Sequence, residues 1–95
     1  MANIHAVLYH TPNCQKCKLT LKQLSKGMRV KVEYLFDGND EWSERKIDKF
    51  REQGYASFPV VRIYSDDTGE RLDDWCDLQV GNIQRWVKAA QEESV

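Results

Sequence analysis

Ninety-five residues provide for one domain with a modest hydrophobic core, and 41% hydrophobic against 31% charged residues is the balance of an ordinary soluble globular chain, not a disordered one. A net charge of −1 makes no overall electrostatic case for nucleic acid or an anionic membrane, so the expected partners are proteins or small molecules. Residues 1–95 are read as a single unit, expected to work as a monomer.

The start, Met1-Ala2-Asn3-Ile4-His5, lacks the basic segment and apolar run of an export signal, and no stretch is long enough to span a bilayer. The expected location is the cytoplasm. Ala6-Val7-Leu8-Tyr9 is a short apolar run closed by the turn-prone Thr11-Pro12-Asn13, which predicts a strand buried on both faces. From Gln15 to about Lys26 the residues Cys17, Leu21, Leu24 and Met28 recur at helical spacing, while Lys18, Lys22 and Lys26 share another face. This predicts an amphipathic helix that begins near Cys14 and ends near Gly27.

Val30, Val32, Tyr34 and Phe36 alternate with Lys31, Glu33 and Leu35 as a second strand, stopping at Asp37-Gly38-Asn39-Asp40. A second helix follows, capped by Asp40 or Ser43, with Trp42, Ile47 and Phe50 toward the core and Gly54 at its end. Pro59 to Tyr64 reads as a strand turning at Asp66-Asp67-Thr68-Gly69 into an antiparallel partner near Arg71 to Trp75. Ile83, Trp86, Val87 and Ala90 mark a C-terminal helix. The order strand, helix, strand, helix, strand, strand, helix describes an α/β chain in which a mixed sheet is flanked by helices.

Three cysteines, two of them separated by only two residues, do not form the even framework of a small secreted domain. Disulfide exchange needs a thiolate that attacks and a second thiol near enough to resolve the mixed disulfide. Cys14-Gln15-Lys16-Cys17 at a helix start supplies both. The unpaired N–H groups and positive end of the helix favour ionised Cys14, with a smaller, screened contribution from Lys16 and Lys18, while Cys17 lies on the inward stripe. Cys14 is thus assigned as nucleophile and Cys17 as resolving thiol. The competing chemistry is half a zinc site, which would have to recruit the isolated Cys76 with His5 or His10; no metal is expected.

Three segments, Tyr9 to Cys17 (YHTPNCQKC), Gly54 to Val61 (GYASFPVV) and Trp75 to Ile83 (WCDLQVGNI), resemble in order and separation the glutaredoxin-like redoxins, and within them the NrdH redoxins that behave functionally like thioredoxins. The resemblance implies the thioredoxin/glutaredoxin-like fold, a four-stranded mixed sheet with three helices. It implies thiol–disulfide oxidoreductase activity with no bound cofactor: electrons come indirectly from NADPH through thioredoxin reductase and pass to protein disulfides, ribonucleotide reductase among them. It also implies a cis peptide before Pro59, which lets the backbone around Phe58 pair with an extended substrate.

Thr11, Tyr55, Phe58, Pro59 and Trp75 are the expected substrate surface. For Tyr55 and Phe58 the competing reading is packing beneath the loop; for Trp75 it is a core or rim hydrophobe. The third segment departs from the family's Trp-Ser-Gly-Phe after Trp75. Thr11 stands where a Lys is common, and the Gly-Gly and acidic pattern of glutathione-binding members is absent. These departures favour the reductase over glutathione as donor. The alternatives are a glutathione-dependent glutaredoxin and a non-catalytic thioredoxin-fold module whose cysteines bind metal or sense oxidation. His10 is expected as a solvated loop histidine, with tuning of the Cys14 thiolate as the competing reading; Asp73, Asp74 and Asp77 as a solvated rim or helix cap; and Cys76 as an inert, partly buried thiol, with capping of an oxidised Cys14 as the competing reading.

Overall fold

The computed structural model describes residues 4–35 and 41–93. Its elements are β1 (Ile4–His10), α1 (Gln15–Ser25), β2 (Arg29–Tyr34), α2 (Glu41–Glu52), β3 (Val60–Ser65), β4 (Arg71–Cys76) and α3 (Val80–Glu93). One four-stranded sheet has the order β2-β1-β3-β4. β1 and β2 are parallel, as the α1 crossover requires; β3 is antiparallel to β1, and β4 to β3. The expected mixed sheet with three helices is therefore the observed architecture.

β1 lies between two strands and is buried on both faces. Ile4, Ala6 and Leu8 point into a core with Leu24 and Met28 of α1, Val61 and Ile63 of β3, Trp75 of β4, and Ile83 and Ala90 of α3. Val7 and Tyr9 point the other way, against Val60, Leu35 and Phe50 of α2. The alternation along one strand thus divides the protein into an α1/α3 layer and an α2 layer.

Several local expectations need correction. The inward face of α1 is centred on Cys17, Thr20 and Leu24, with Leu21 only half-buried, because a polar Thr occupies a position that apolar spacing passes over. Gly27 does more than end the helix: a Cβ there would stand 2.4 Å from Val87 Cγ1, so its bare backbone is what lets α3 pack against the end of α1. In β2 the expected inward Tyr34 is 54% exposed, and the following Leu35 is fully buried. The chain leaves the strand at that point, and the Leu35 N–H donates to the His10 carbonyl at 2.8 Å. Ser43 is the third residue of α2 and buried, so it is not the cap. Phe36, the expected turn at 37–40 and the side chain of Trp42 lie outside the described residues. Gly54, at φ +93°, ends α2 in the left-handed region as expected, with the Tyr55 N–H donating to the Phe50 carbonyl at 2.9 Å.

Candidate active site

The site is built where β1 runs out. His10 is the last strand residue, and the chain turns through Thr11, Pro12 and Asn13 to reach α1. Asn13 takes φ 57°, a left-handed conformation that Asn tolerates better than most residues. His10 is buried, at 7% exposure, and its Nδ1–H donates to the Thr11 carbonyl at 2.8 Å. The expected solvated histidine is therefore a buried support of the turn. The strand extends one residue past the apolar run, which draws the imidazole under the loop and beside Tyr34, with ring centroids 5.2 Å apart.

Cys14 is the N-cap of α1, at φ −99° and ψ 103°. Its Sγ accepts the Cys17 N–H at 3.1 Å, and its carbonyl accepts the first helical bond, from Lys18, at 3.2 Å. A cap position normally taken by an oxygen side chain is here taken by sulfur, so the otherwise orphaned N–H groups of the first turn face it. Cys17, one turn on, is completely buried, whereas Cys14 is partly exposed. The two sulfurs are joined as a disulfide, with Cα atoms 5.2 Å apart. An incoming thiol can therefore reach Cys14 and not Cys17. When the bond opens, the N–H group and helix end stabilise negative charge on the Cys14 sulfur.

The Phe58–Pro59 peptide is cis. Pro59 is buried immediately before β3, and Val60 pairs with Tyr9 on one side and Cys76 on the other. Phe58 and Tyr55 both pack edge-on against Phe50, with centroids 6.1 and 5.7 Å away. Both rings, with Phe50 itself, line a groove of about 390 Å³ together with Thr11, Pro12 and Ile47. The structure thus brings Thr11, Tyr55 and Phe58 to one groove beside the Cys14 turn. Packing beneath the loop and presenting a surface are two sides of the same rings.

Trp75 is placed elsewhere. It is 6% exposed, in the α1/α3 core with Leu8, Val61 and Ile83, because alternation along β4 turns it to that face. The ring thus takes the core position that was the competing reading of the sequence. Cys76 points to the opposite face, partly buried against the Phe50 cluster, with a free thiol.

Asp77 is the site residue that sequence reasoning undervalued. At φ 69° it leaves β4 and donates its N–H to the Pro59 carbonyl at 2.8 Å. Its Oδ1 accepts Lys16 Nζ at 2.9 Å and the Leu78 N–H at 2.8 Å. Lys16 first, then the Leu78 N–H, hold this carboxyl below the usual carboxylate range. One residue thus ties the cis-proline segment, the cysteine motif and the β4–α3 loop together. A left-handed residue after a strand has no apolar periodicity to reveal it.

Arg62, behind the groove's aromatic rings, is also engaged. The Arg62 guanidinium lies over Phe50, Tyr9 and Tyr55 at 5.3, 5.6 and 5.9 Å and donates to Gln53 Oε1 at 2.7 Å. Burial raises the Tyr9 and Tyr55 phenols above their ordinary range despite that charge. His5, at the other end of β1, bonds Asp66 and stacks on Tyr64. Among the described residues, no group of three or more His, Cys, Asp or Glu side chains is disposed to hold a metal ion. None of the described helices is long and apolar enough to cross a membrane.

No family model and no curated protein sequence matches the chain. Solved structures do. The glutaredoxin-like NrdH-redoxin of Escherichia coli superposes with a TM-score of 0.63 at 17% identity, over 85% of this chain and 92% of its own. Thioredoxin f2 of Chlamydomonas reinhardtii gives 0.58 at 16% identity, over 96% and 82%. A chain of the complex between ferredoxin:thioredoxin reductase and thioredoxin f2 gives 0.57 at 13%, over 95% and 79%. The fold is that of the thioredoxins and glutaredoxin-like redoxins, with a Cys-x-x-Cys pair at the start of α1.

Proposed function

We propose that this chain is a thiol–disulfide redoxin that carries electrons through Cys14 and Cys17 from thioredoxin reductase to protein disulfides, ribonucleotide reductase among them. The observation that carries the reading is the asymmetry of the pair: a partly exposed Cys14 whose sulfur caps α1, and a fully buried Cys17 one turn behind it. The E. coli redoxin that shares the fold has a thioredoxin-like activity profile, which supports the choice of donor.

The chemistry balances within the site. The Cys14 thiolate attacks one sulfur of the substrate disulfide; a Cys14–substrate bond forms, the substrate bond breaks, and the leaving sulfur takes up a proton. Cys17 then loses its proton and attacks the Cys14 sulfur. The internal disulfide forms, and the second substrate sulfur leaves as a thiolate that is protonated in turn. The substrate gains two electrons and two protons: both electrons come from the dithiol, one proton comes from Cys17, and the other comes from the solvent that took up the Cys14 proton on ionisation. The reductase, drawing on NADPH, restores the dithiol by the same exchange in reverse, so no cofactor needs to reside on this chain. During exchange the Phe58–Pro59 backbone and the groove of Thr11, Tyr55 and Phe58 hold the substrate strand beside Cys14. A monomer in the cytoplasm suffices for this work.

Cys14→Ser is expected to abolish disulfide reduction, and Cys17→Ser to accumulate a mixed disulfide with substrate that an added thiol releases. Intact-protein mass spectrometry during turnover reads both outcomes. Full multiple-turnover dithiol activity in Cys17→Ser would overturn the assignment of roles.

A further inference from the structure

The net charge of −1 conceals a strong segregation. Residues 1–32 contain six Lys and Arg and no Asp or Glu, so all fifteen carboxylates lie in the rest of the chain, against eight cations. The fold gathers part of this excess on one face. Of the six cations, Lys16 is paired with Asp77, Arg29 with Asp66, and Lys31 with Glu33 at 3.4 Å. Lys18, Lys22 and Lys26 are exposed and have no ion-pair partner among the described residues. They lie on the outer face of α1, opposite Cys17, Thr20 and Leu24. α3 packs near the end of the helix, at Gly27 against Val87, and brings no carboxylate among the described side chains to the Lys18–Lys22 face. At its middle stands Leu19, 41% exposed, and an open depression there is lined by Gln15, Lys16, Lys18, Leu19 and Lys22.

We infer that the outer face of α1 is a docking surface for a protein partner whose redox-active cysteine is flanked by acidic residues. Three points carry this. The first is position: Lys18 and Lys22 are one and two turns from Cys14, about 6 and 12 Å along the helix axis at ~1.5 Å per residue. An extended partner segment advances ~3.3 Å per residue, so carboxylates two to four places from its cysteine reach these ammonium groups while the sulfurs are in contact. The second is charge: three unpaired cations without a carboxylate among them attract an anionic segment across about one Debye length, ~8 Å at physiological ionic strength. The third is the apolar centre, since Leu19 surrounded by ammonium groups matches a partner with an aliphatic or aromatic residue among its acids. Lys16 is excluded from this role because Asp77 already neutralises it. The inference rests on the dithiol exchange proposed above.

The test uses two synthetic peptides with the same internal disulfide, one with Asp and Glu at the two to four positions beside the cysteine and one with Ser and Gln. Each is reduced by the pre-reduced protein under single-turnover conditions, and the ratio of the two rates is the readout. The acidic peptide is expected to react roughly tenfold faster at low salt, and the ratio to fall to within about twofold in 1 M salt, where the Debye length is ~3 Å. Lys22→Glu is expected to bring the ratio to one or below. Arg45→Glu, on the exposed side of α2, makes the same change in net charge and is expected to retain most of the ratio, which separates a local surface from a global charge effect. A ratio near one at low salt, a ratio insensitive to salt, or equal loss in Lys22→Glu and Arg45→Glu would each overturn the inference while leaving the dithiol chemistry intact. Reduction of neither peptide would overturn that chemistry and the docking surface with it.

Discussion

Phe50 is the support on which the groove beside Cys14 rests, and Phe50→Leu separates support from chemistry. The ring is 2% exposed and makes edge-on contacts with Tyr9, Tyr55 and Phe58 at 4.8, 5.7 and 6.1 Å. Leu keeps most of the apolar volume, so the packing cost is under about 1.5 kcal/mol. Losing the aromatic geometry adds roughly 0.5–1.5 kcal/mol for each well-formed pair, of which the Tyr9 contact is the closest. A total of about 2 kcal/mol is expected, equivalent to a fall in Tm of roughly 8–16 °C for a domain of this size. Because Tyr55 and Phe58 lose their common backing, the KM for a peptide disulfide should rise about fivefold, the equivalent of roughly 1 kcal/mol. Alkylation of reduced Cys14 by iodoacetamide should stay within about twofold of the parent, since the sulfur is capped by α1 and not by this cluster. Thermal unfolding, peptide reduction and alkylation on the same preparation check all three. A Tm within about 2 °C of the parent, or equal losses in alkylation and peptide reduction, would refute the assignment of Phe50 as support of the groove alone.

Asp66 and Asp77 both have depressed carboxyl pKa values in the folded state, Asp66 chiefly through His5 and then Arg29, and Asp77 chiefly through Lys16. Their stabilisation is therefore complete above the unfolded carboxylate value of about 3.9 and is lost as pH falls through the lower folded values. Asp66→Asn and Asp77→Asn should each be less stable than the parent to urea at pH 7 and converge on it near pH 2; an equal gap at both values would refute the ion pairs as the source. Cys76 faces the Phe50 cluster and is partly buried, so mild oxidation followed by mass mapping should find only the Cys14–Cys17 bond, with Cys76 free. A Cys14–Cys76 bond would show that the β4 thiol reaches the reactive sulfur.

What the sequence made legible was whatever repeats or punctuates. A continuous apolar run placed β1, buried on both faces, period two placed β2 as far as Val32, and the 3.6-residue period placed the inward faces of α3 and most of α1, because a surface helix must bury one face. The cysteine motif was legible because strand, turn and helix start leave little choice about which sulfur caps the helix. The functions of single polar residues at element ends were not. His10 and Asp77 look like loop and rim residues until Leu35 closes on the His10 carbonyl and Asp77 turns left-handed toward Pro59 and Lys16, contacts made across the sheet order rather than along the chain. Trp75 illustrates the same limit for an aromatic: a segment pattern suggested the substrate rim, and alternation along β4 placed the ring in the core.

The proposed electron route is tested most directly by supplying the protein and a disulfide substrate with NADPH through either thioredoxin reductase or glutathione plus its reductase, at matched electron supply. Glutathione would have to be held by charge beside Cys14, where Lys16 is paired with Asp77, Arg62 is enclosed by Phe50, Tyr9 and Tyr55, and Lys18 and Lys22, unpaired among the described residues, line a depression on the outer face of α1 separate from the groove of Thr11, Tyr55 and Phe58, whereas the reductase presents its own dithiol across a protein surface. NADPH consumption is expected to be rapid with thioredoxin reductase, slow with glutathione, and lost in Cys14→Ser. Rapid glutathione-coupled turnover with no measurable reductase coupling would contradict it.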